Sequence, residues 1–489
     1  MPWKLMVLRQ PLSRTPSYAF LLTLFQNSGG LSCLVILVLV SKTVSYRIIV
    51  TSSISVGKTA FLYVLLVLRL QAQLPTIYQS RDTYLYYFAN DGVYRINLIP
   101  SPIDAQFHES TWCLIDSNQS LGTVPVFIQD LGLFIVQASS LSPGHLKWAR
   151  KTTGPVLQYF MKPWSLSELL VGYVTYLLIS EPFVIPLSRV LQEEVYSEAQ
   201  IKFFSDHYGH QARSVYANAP NPLKYERTLL QKMSRISYED MGKSFREALP
   251  LDLVTISPGD TRYSLQLTFP TRYVYEKFRD RFSTHKLEAA ARLYEVFVRN
   301  PETRVPAGFM LEDAANAVFP RGGEWSLVPM MRSGRTSSKN THWKNPNNSI
   351  TPQYLHLGYL GHHIAIDTTP HPDGTVYQPL PLKCFLPGDR LQLKNGYYYP
   401  SSRSQQETFD AFIYESASKT ATVFQVTTSP SHTVKEGGIE WLRGLGVERF
   451  RYIAVTTPHT SFDFPFPNKW EPELIPDKYI LTVDRLPKH

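Results

Sequence analysis

Tyr46-Arg-Ile-Ile-Val50, a turn over Thr51 to Val56, Gly57-Lys58-Thr59 and the apolar run Ala60–Leu70 form the stretch on which the fold turns. The first segment reads as a buried strand and the last as a helix, because short apolar runs favour the one and longer runs the other. Strand, loop, Gly-Lys-Thr and helix in that order are the layout of a P-loop. Loop amides and the helix N-terminus face phosphates, the lysine neutralises β and γ oxygens, and the threonine hydroxyl reaches Mg2+. Ser55, Gly57, Lys58 and Thr59 are the candidate nucleotide-binding residues. Five positions before Gly57 stands Ser52 where the pattern asks for glycine, and a side chain there crowds the loop.

Working outward, Trp112-Cys-Leu-Ile-Asp116 is an apolar strand ending in an acid, placed where such folds hold Mg2+ through water. A further strand, Leu133–Gln137, runs into Gln137-Ala-Ser-Ser140, polar residues suited to sensing a γ-phosphate. Gly209-His-Gln-Ala-Arg213 follows a helical stretch, Val190–His207, and can return an arginine to the nucleotide; a solvated helix end is the competing reading. These elements are individually weak and gain weight from their order.

The stretch Thr51–Lys151, with SVGKTAFLYVLLVLRL, LPTIYQ, WCLID and LFIVQASSLSPGHLKWARK, then Met161-Lys-Pro-Trp-Ser165, resembles the P-loop ATPase domain of the Crinkler / retrotransposon-hot-spot proteins of eukaryotic microbes. Those chains typically join that ATPase to a C-terminal nuclease-like domain. The resemblance is best over 51–215 and 305–460, and residues 1–45 have no counterpart in it. It implies ATP and Mg2+ as cofactors, with Thr59 and Asp116 at the metal and Arg213 at the nucleotide.

In the C-terminal half, 220–300 reads as a helical region with a strand-like stretch, Ser264–Phe269, and a helix, Lys286–Val298. Gly322-Gly323 and the polar segment Arg332–Asn348 mark a loop or insertion. Its Arg332, Arg335, Lys339 and Lys344 with Trp343 suit nucleic acid, against the competing reading of a solvated surface loop. Phe409-Asp-Ala-Phe-Ile413 reads as a strand carrying an acid, and Ala421–Thr427 as a second with Gln425 and Thr427 on one face. Such a pair outlines a metal-dependent nuclease hairpin, in which a carboxylate and a second oxygen ligand hold Mg2+ and a nearby cation assists attack. His432 and Lys435 follow within reach.

FDAFI, VFQVTTSPSHTVKEGGIEWL and Tyr452–Thr456 resemble the restriction-endonuclease-like domain of the same proteins. The resemblance implies that the usual Asp…Glu-x-Lys pattern maps onto Asp410, Gln425 and Thr427. It also implies that the helix Ala307–Phe319 supplies Glu312 to a metal shared with Asp410. Gln425 is neutral and Thr427 is no cation, so Lys435 is the candidate substitute. His362-His363 with Asp367 resembles half of a metal site, but adjacent histidines on a strand point to opposite faces.

The 489 residues suit two to four domains, and 44% hydrophobic residues exclude a disordered chain. Of the net charge of +9, +7 lies in residues 1–80, which hold no Asp or Glu; the remainder carries 42 basic against 40 acidic side chains. Bulk charge therefore does not argue for nucleic acid. Cys33, Cys113 and Cys384 lack the spacing of a disulfide framework or a cysteine zinc site. Ala19–Val40 is broken by Gln26 to Gly30, leaving runs short of the ~20 residues of a membrane-spanning helix. Secretion and organelle targeting stay open; an intracellular, nuclear location is the expectation.

The expected architecture is α/β: an unassigned apolar and basic N-terminus (1–45), a P-loop NTPase domain with a parallel sheet (46–215), a helical connector (216–300) and a restriction-endonuclease-like α/β domain (301–489). The expected function is ATP binding and hydrolysis controlling a Mg-dependent domain that binds or cuts DNA. The alternative is a catalytically degenerate, effector-type protein that acts by binding nucleic acid or protein.

Overall fold

Arg47–Thr51, Trp112–Asp116 and Phe134–Ser139 are buried along most or all of their length, and successive side chains enter two different cores. Ile49, Cys113, Ile115 and Ile135 join one cluster with Trp148, while Val50, Leu114 and Val136 join another with Leu62 and Leu65 of the helix Lys58–Gln71. A strand covered on both faces reads as a nearly continuous apolar run, the mark of a parallel sheet between layers. Each leucine buried this way contributes about 1.5–3 kcal/mol.

The computed structural model describes residues 5–8, 18–24, 35–40, 47–51, 57–98, 107–117, 120–141, 143–151, 155–179, 197–247, 253–282, 287–336, 339–346, 351–359, 361–386, 388–402, 408–458, 462–470 and 473–483. The fold is mixed α/β and divides into two units, Met1–Phe278 and Arg279–His489. The stretch expected as a connector, 216–300, is shared between them.

The first unit contains β1 (Leu5–Leu8), β2 (Tyr18–Leu24), β3 (Val35–Val40), β4 (Arg47–Thr51), β5 (Thr76–Gln79), β6 (Tyr84–Ala89), β7 (Gly92–Asn97), β8 (Trp112–Asp116), β9 (Phe134–Ser139), β10 (Val156–Phe160), β11 (Thr255–Pro258) and β12 (Leu265–Thr268). The first three form an antiparallel sheet, and β11 pairs with β12. The central sheet has the order β10-β4-β9-β8-β5-β6-β7. Its first five strands are parallel, and β6 and β7 extend it antiparallel, so the sheet is mixed where a parallel one was expected. The reason is the short links from β5 to β6 and from β6 to β7, which permit only hairpins. Register pairs Thr51 with Ser139 and with Phe160, and Asp116 with Ala138, so the carboxyl ends of these strands lie along one edge. Ligands of open α/β sheets bind outside that edge, where neighbouring connections diverge.

The second unit contains β13 (Gly323–Pro329), β14 (Met331–Thr336), β15 (Asn340–Lys344), β16 (Gln353–Tyr359), β17 (His362–Asp367), β18 (Tyr398–Pro400), β19 (Ala411–Glu415), β20 (Thr420–Val426), β21 (Arg449–Thr456), β22 (Asp463–Pro467) and β23 (Asp477–Thr482). Its main sheet has the order β17-β16-β13-β23-β21-β20-β19-β18, with β20, β21 and β23 parallel and the remaining pairs antiparallel. Ala315 of the helix Arg304–Val318 packs in a cluster with Ile413, Phe424 and Ile453. Ile439 and Leu442 of the helix Glu436–Gly444 join Phe412, Val423 and Tyr452 in another.

The polar segment over Arg332–Asn348, expected as a loop, contributes the two strands β14 and β15 instead. They form a three-stranded antiparallel sheet with β22. The apolar partner lies far along the chain: Phe464 and Phe466 of β22 are buried, and Lys478 Nζ stands 4.3 Å over the Trp343 ring. Trp343 thus has a packing role. Among the described residues no helix is long and apolar enough to cross a membrane.

Candidate functional site

Gly57 immediately precedes the helix Lys58–Gln71 with φ of 92°, in the left-handed region that favours glycine. The Trp164 ring lies over it, 3.7 Å from where a β-carbon would stand. Ser52 and Ser55 lie outside the described residues. The Thr59 hydroxyl donates to Asp116 at the end of β8, 3.0 Å from Oδ2 and 3.3 Å from Oδ1. A hydroxyl whose proton is committed to a carboxylate keeps its lone pairs for a cation. Burial raises the Asp116 carboxyl above its ordinary range, opposed by the Thr59 hydrogen bond and the Lys58 charge.

Lys58 is half-buried, and loss of hydration brings its pKa down to about 8; Asp116 pulls it up and Arg213 lowers it further. Arg213, predicted as a distant contributor, is thus an electrostatic neighbour of Lys58. It belongs to the short helix Ala212–Asn218, which is held by Tyr216: its hydroxyl donates to the Leu169 carbonyl at 2.7 Å. A β-carbon at Gly172 would stand 2.6 Å from that hydroxyl and 2.7 Å from Trp164, so glycine lets these groups close up. Lys58 thus feels one carboxylate and one further cation in a place partly stripped of water.

Gln137 does something other than sense a phosphate. Its amide donates to Ser117 Oγ at 2.7 Å and to the His145 carbonyl at 3.1 Å, and its oxygen accepts from Trp148 Nε1 at 2.7 Å. A polar residue at a strand end and a buried structural clasp share the same sequence signal.

In the second unit Asp410 precedes β19 and Gln425 lies on β20. Gln425 Nε2 donates to Asp410 Oδ2 at 2.9 Å, and the Val426 N–H donates to the same oxygen at 2.6 Å. Gln425 Oε1 is buried without a hydrogen-bond partner. Glu312 lies half-buried on the helix Arg304–Val318. Burial lifts the Tyr398 phenol well above its usual pKa, and Asp410 and then Glu312 add to the rise, so one ring senses both acids.

Thr427 and Lys435 are not drawn into this group in the same way. Thr427 is buried, and its hydroxyl accepts from the Ser429 N–H at 3.1 Å in a local turn. Lys435 is exposed at the N-terminus of the helix Glu436–Gly444, where its carbonyl accepts from the Thr408 hydroxyl at 2.9 Å. Burial and then the Lys435 charge lower the pKa of His432.

One constellation escaped the sequence reading. His362 is exposed on β17 and the ring of His363 lies against Gly396, whereas Glu324, His356 and His371 come together from two strands and a loop. Their spacing follows no short motif, because cross-strand pairing joins them. Comparison of the chain with protein-family models, with curated proteins and with solved structures finds no match.

Proposed function

We propose that the first unit binds ATP with Mg2+ and hydrolyses it, and that the nucleotide state controls the second unit, a nuclease-like module acting on DNA with a divalent cation. The convergence of Lys58, Thr59, Asp116 and Arg213 at the carboxyl edge of β4 and β8 carries this reading. The P-loop assignment draws further support from Gly57 in a left-handed conformation at the head of the helix and from β9 lying between β4 and β8. Lys58 and Arg213 hold the phosphates, and Asp116 orients the Thr59 hydroxyl. Mg2+, when bound, supplies neutralisation of charge developing on the transferred phosphoryl group.

A restriction-endonuclease-like reading of the second unit draws support from its order: a helix with Glu312, antiparallel β18, β19 and β20, the helix Glu436–Gly444, then β21 parallel to β20. Asp410, Gln425 and Glu312 are its proposed cation ligands. A second reading, binding without cleavage, is favoured by one feature. Gln425 brings no charge and Thr427 is engaged in a turn, leaving the site short of a carboxylate and a cation.

The test crosses two variants with two readouts in the full chain: ATP binding by fluorescent-analogue titration, and plasmid nicking with Mg2+. Lys58→Ala is expected to lose ATP affinity by about 100-fold or more while Asp410→Ala keeps it, since phosphate contacts are worth several kcal/mol. Unchanged ATP binding in Lys58→Ala would sink the nucleotide site. Nicking that survives Asp410→Ala removes the cation hairpin, and DNA binding without nicking by the parent selects the degenerate reading.

A further inference from the structure

Glu324 of β13 and His356 of β16 are direct cross-strand partners, and His371 follows β17, the next strand of the sheet. One ligand atom from each lies within 4.8 Å of the others. The His356 side chain is completely buried, with neither ring nitrogen in a hydrogen bond. A buried imidazole whose nitrogens make no hydrogen bond is unusual, because buried polar groups are almost always satisfied. His356 Nδ1 stands 3.3 Å from Glu324 Oε2. Two ligands each about 2.0–2.1 Å from one tetrahedral zinc are separated by about 3.4 Å, so this pair already has the spacing of two ligands of one ion.

We infer that Glu324, His356 and His371 form a binding site for a zinc-type divalent cation, separate from the sites of the proposed function and independent of that reading. Two imidazoles and one carboxylate are a donor set that zinc accepts, with a fourth position for water. The surroundings supply the outer contacts that orient metal ligands. Asp367 Oδ2 lies 3.7 Å from His356 Nε2, on the side of the ring away from Glu324. The Tyr377 hydroxyl lies 3.3 Å from His371 Nδ1 and 3.5 Å from Glu324 Oε2. Glu324 Oε2 also accepts from the His371 main-chain N–H at 2.7 Å, tying the loop to β13.

The His356 and His371 imidazoles stack, with centroids 3.6 Å apart and planes 18° from parallel. Both imidazoles bind one ion only if the His371 ring turns from the stack, and the bond from its main-chain N–H to Glu324 leaves that ring free of the sheet's own hydrogen bonding. The site thereby fastens the loop after β17 to the interior of the sheet.

The full chain, stripped with a chelator, is dialysed against micromolar ZnCl2 and its metal content measured; Co2+ substitution is read in the visible spectrum. The expected result is about one zinc per chain and a tetrahedral Co2+ spectrum. His371→Ala, at a half-exposed loop position that tolerates truncation, and Glu324→Gln are each expected to lower zinc affinity at least about tenfold while circular dichroism stays that of the parent. Lys58→Ala and Asp410→Ala are expected to keep the zinc, which separates this site from the other two. Zinc content in the parent no higher than in the folded His371→Ala and Glu324→Gln variants would overturn the assignment.

Discussion

In the first unit a half-buried lysine feels both a carboxylate and an arginine, whereas in the second an aspartate is met by an amide and a main-chain N–H, and it and a glutamate both act on one buried tyrosine. The first arrangement has a cation partly stripped of water with a second cation near it, the feature on which the proposed phosphate binding rests. The second has a carboxylate bonded by an amide and a main-chain N–H and a buried amide oxygen without a hydrogen bond, the features on which the proposed cation rests. Both sites stand where strands of a mixed sheet end, so the difference lies in side-chain chemistry more than in architecture. The backbone places groups at the ends of strands, and the charge of those groups decides what a site could bind.

The largest expected effect breaks the comparison at Asp116. Asp116→Ala removes the acceptor of the Thr59 hydroxyl, and ATP hydrolysis is expected to fall by about 100-fold or more while nucleotide still binds through Lys58. Single-turnover hydrolysis alongside a binding titration checks this; equal losses in both would show that Asp116 is needed for binding itself.

Next comes the support beneath Arg213. Gly172→Ala forces a methyl against the Tyr216 hydroxyl and Trp164, at an expected cost of about 1–3 kcal/mol in denaturant unfolding, together with weaker ATP binding as Arg213 shifts. A variant as stable as the parent would show that this packing yields freely.

Gln425→Glu sharpens the contrast from the other side. A third carboxylate beside Asp410 repels it when no cation is bound, so the variant is expected to melt below the parent without Mg2+ and to regain stability with Mg2+, with cation affinity raised about tenfold. Melting curves insensitive to Mg2+ in both proteins would remove the cation from the second unit.

The smallest effect concerns acid. Burial pushes the Glu226 carboxyl up, but Lys277 at 2.8 Å, Tyr273 at 2.9 Å and Tyr208 at 3.2 Å bring its pKa below the ordinary carboxylate value. A depressed folded-state pKa contributes stability that is present above the unfolded value and lost as pH falls through the folded one. Glu226→Gln is therefore expected to lower stability by about 1 kcal/mol at pH 7 and to converge with the parent in acid, followed by urea unfolding at several pH values. A constant difference down to the most acidic pH would assign the loss to packing.

Much of the first unit was legible from short segments. The strand into β4, the helix after Gly57 and the WCLID strand all appear within a residue or two of the expected limits, because local periodicity and a glycine in a left-handed turn are written into neighbouring residues. Gln137 was misread because a polar side chain at a strand end looks alike whether it faces a ligand or clasps Trp148. The β14–β15 hairpin was misread because its apolar partner, β22, lies more than a hundred residues later. The Glu324, His356 and His371 group left no short-range signal at all.

By itself the sequence determined the two-faced apolar strands, the Gly57-Lys58-Thr59 turn and the acids that close β8 and open β19, since each depends on conformational preferences reaching only a few residues. Tertiary structure alone decided that Arg213 approaches Lys58, that Gln425 bonds Asp410, and that a glutamate and two histidines share a corner of the second sheet. These meetings depend on strand order and register, which are set by how whole faces bury together. A shift of one residue in register would turn His356 to the opposite face of its sheet, away from Glu324.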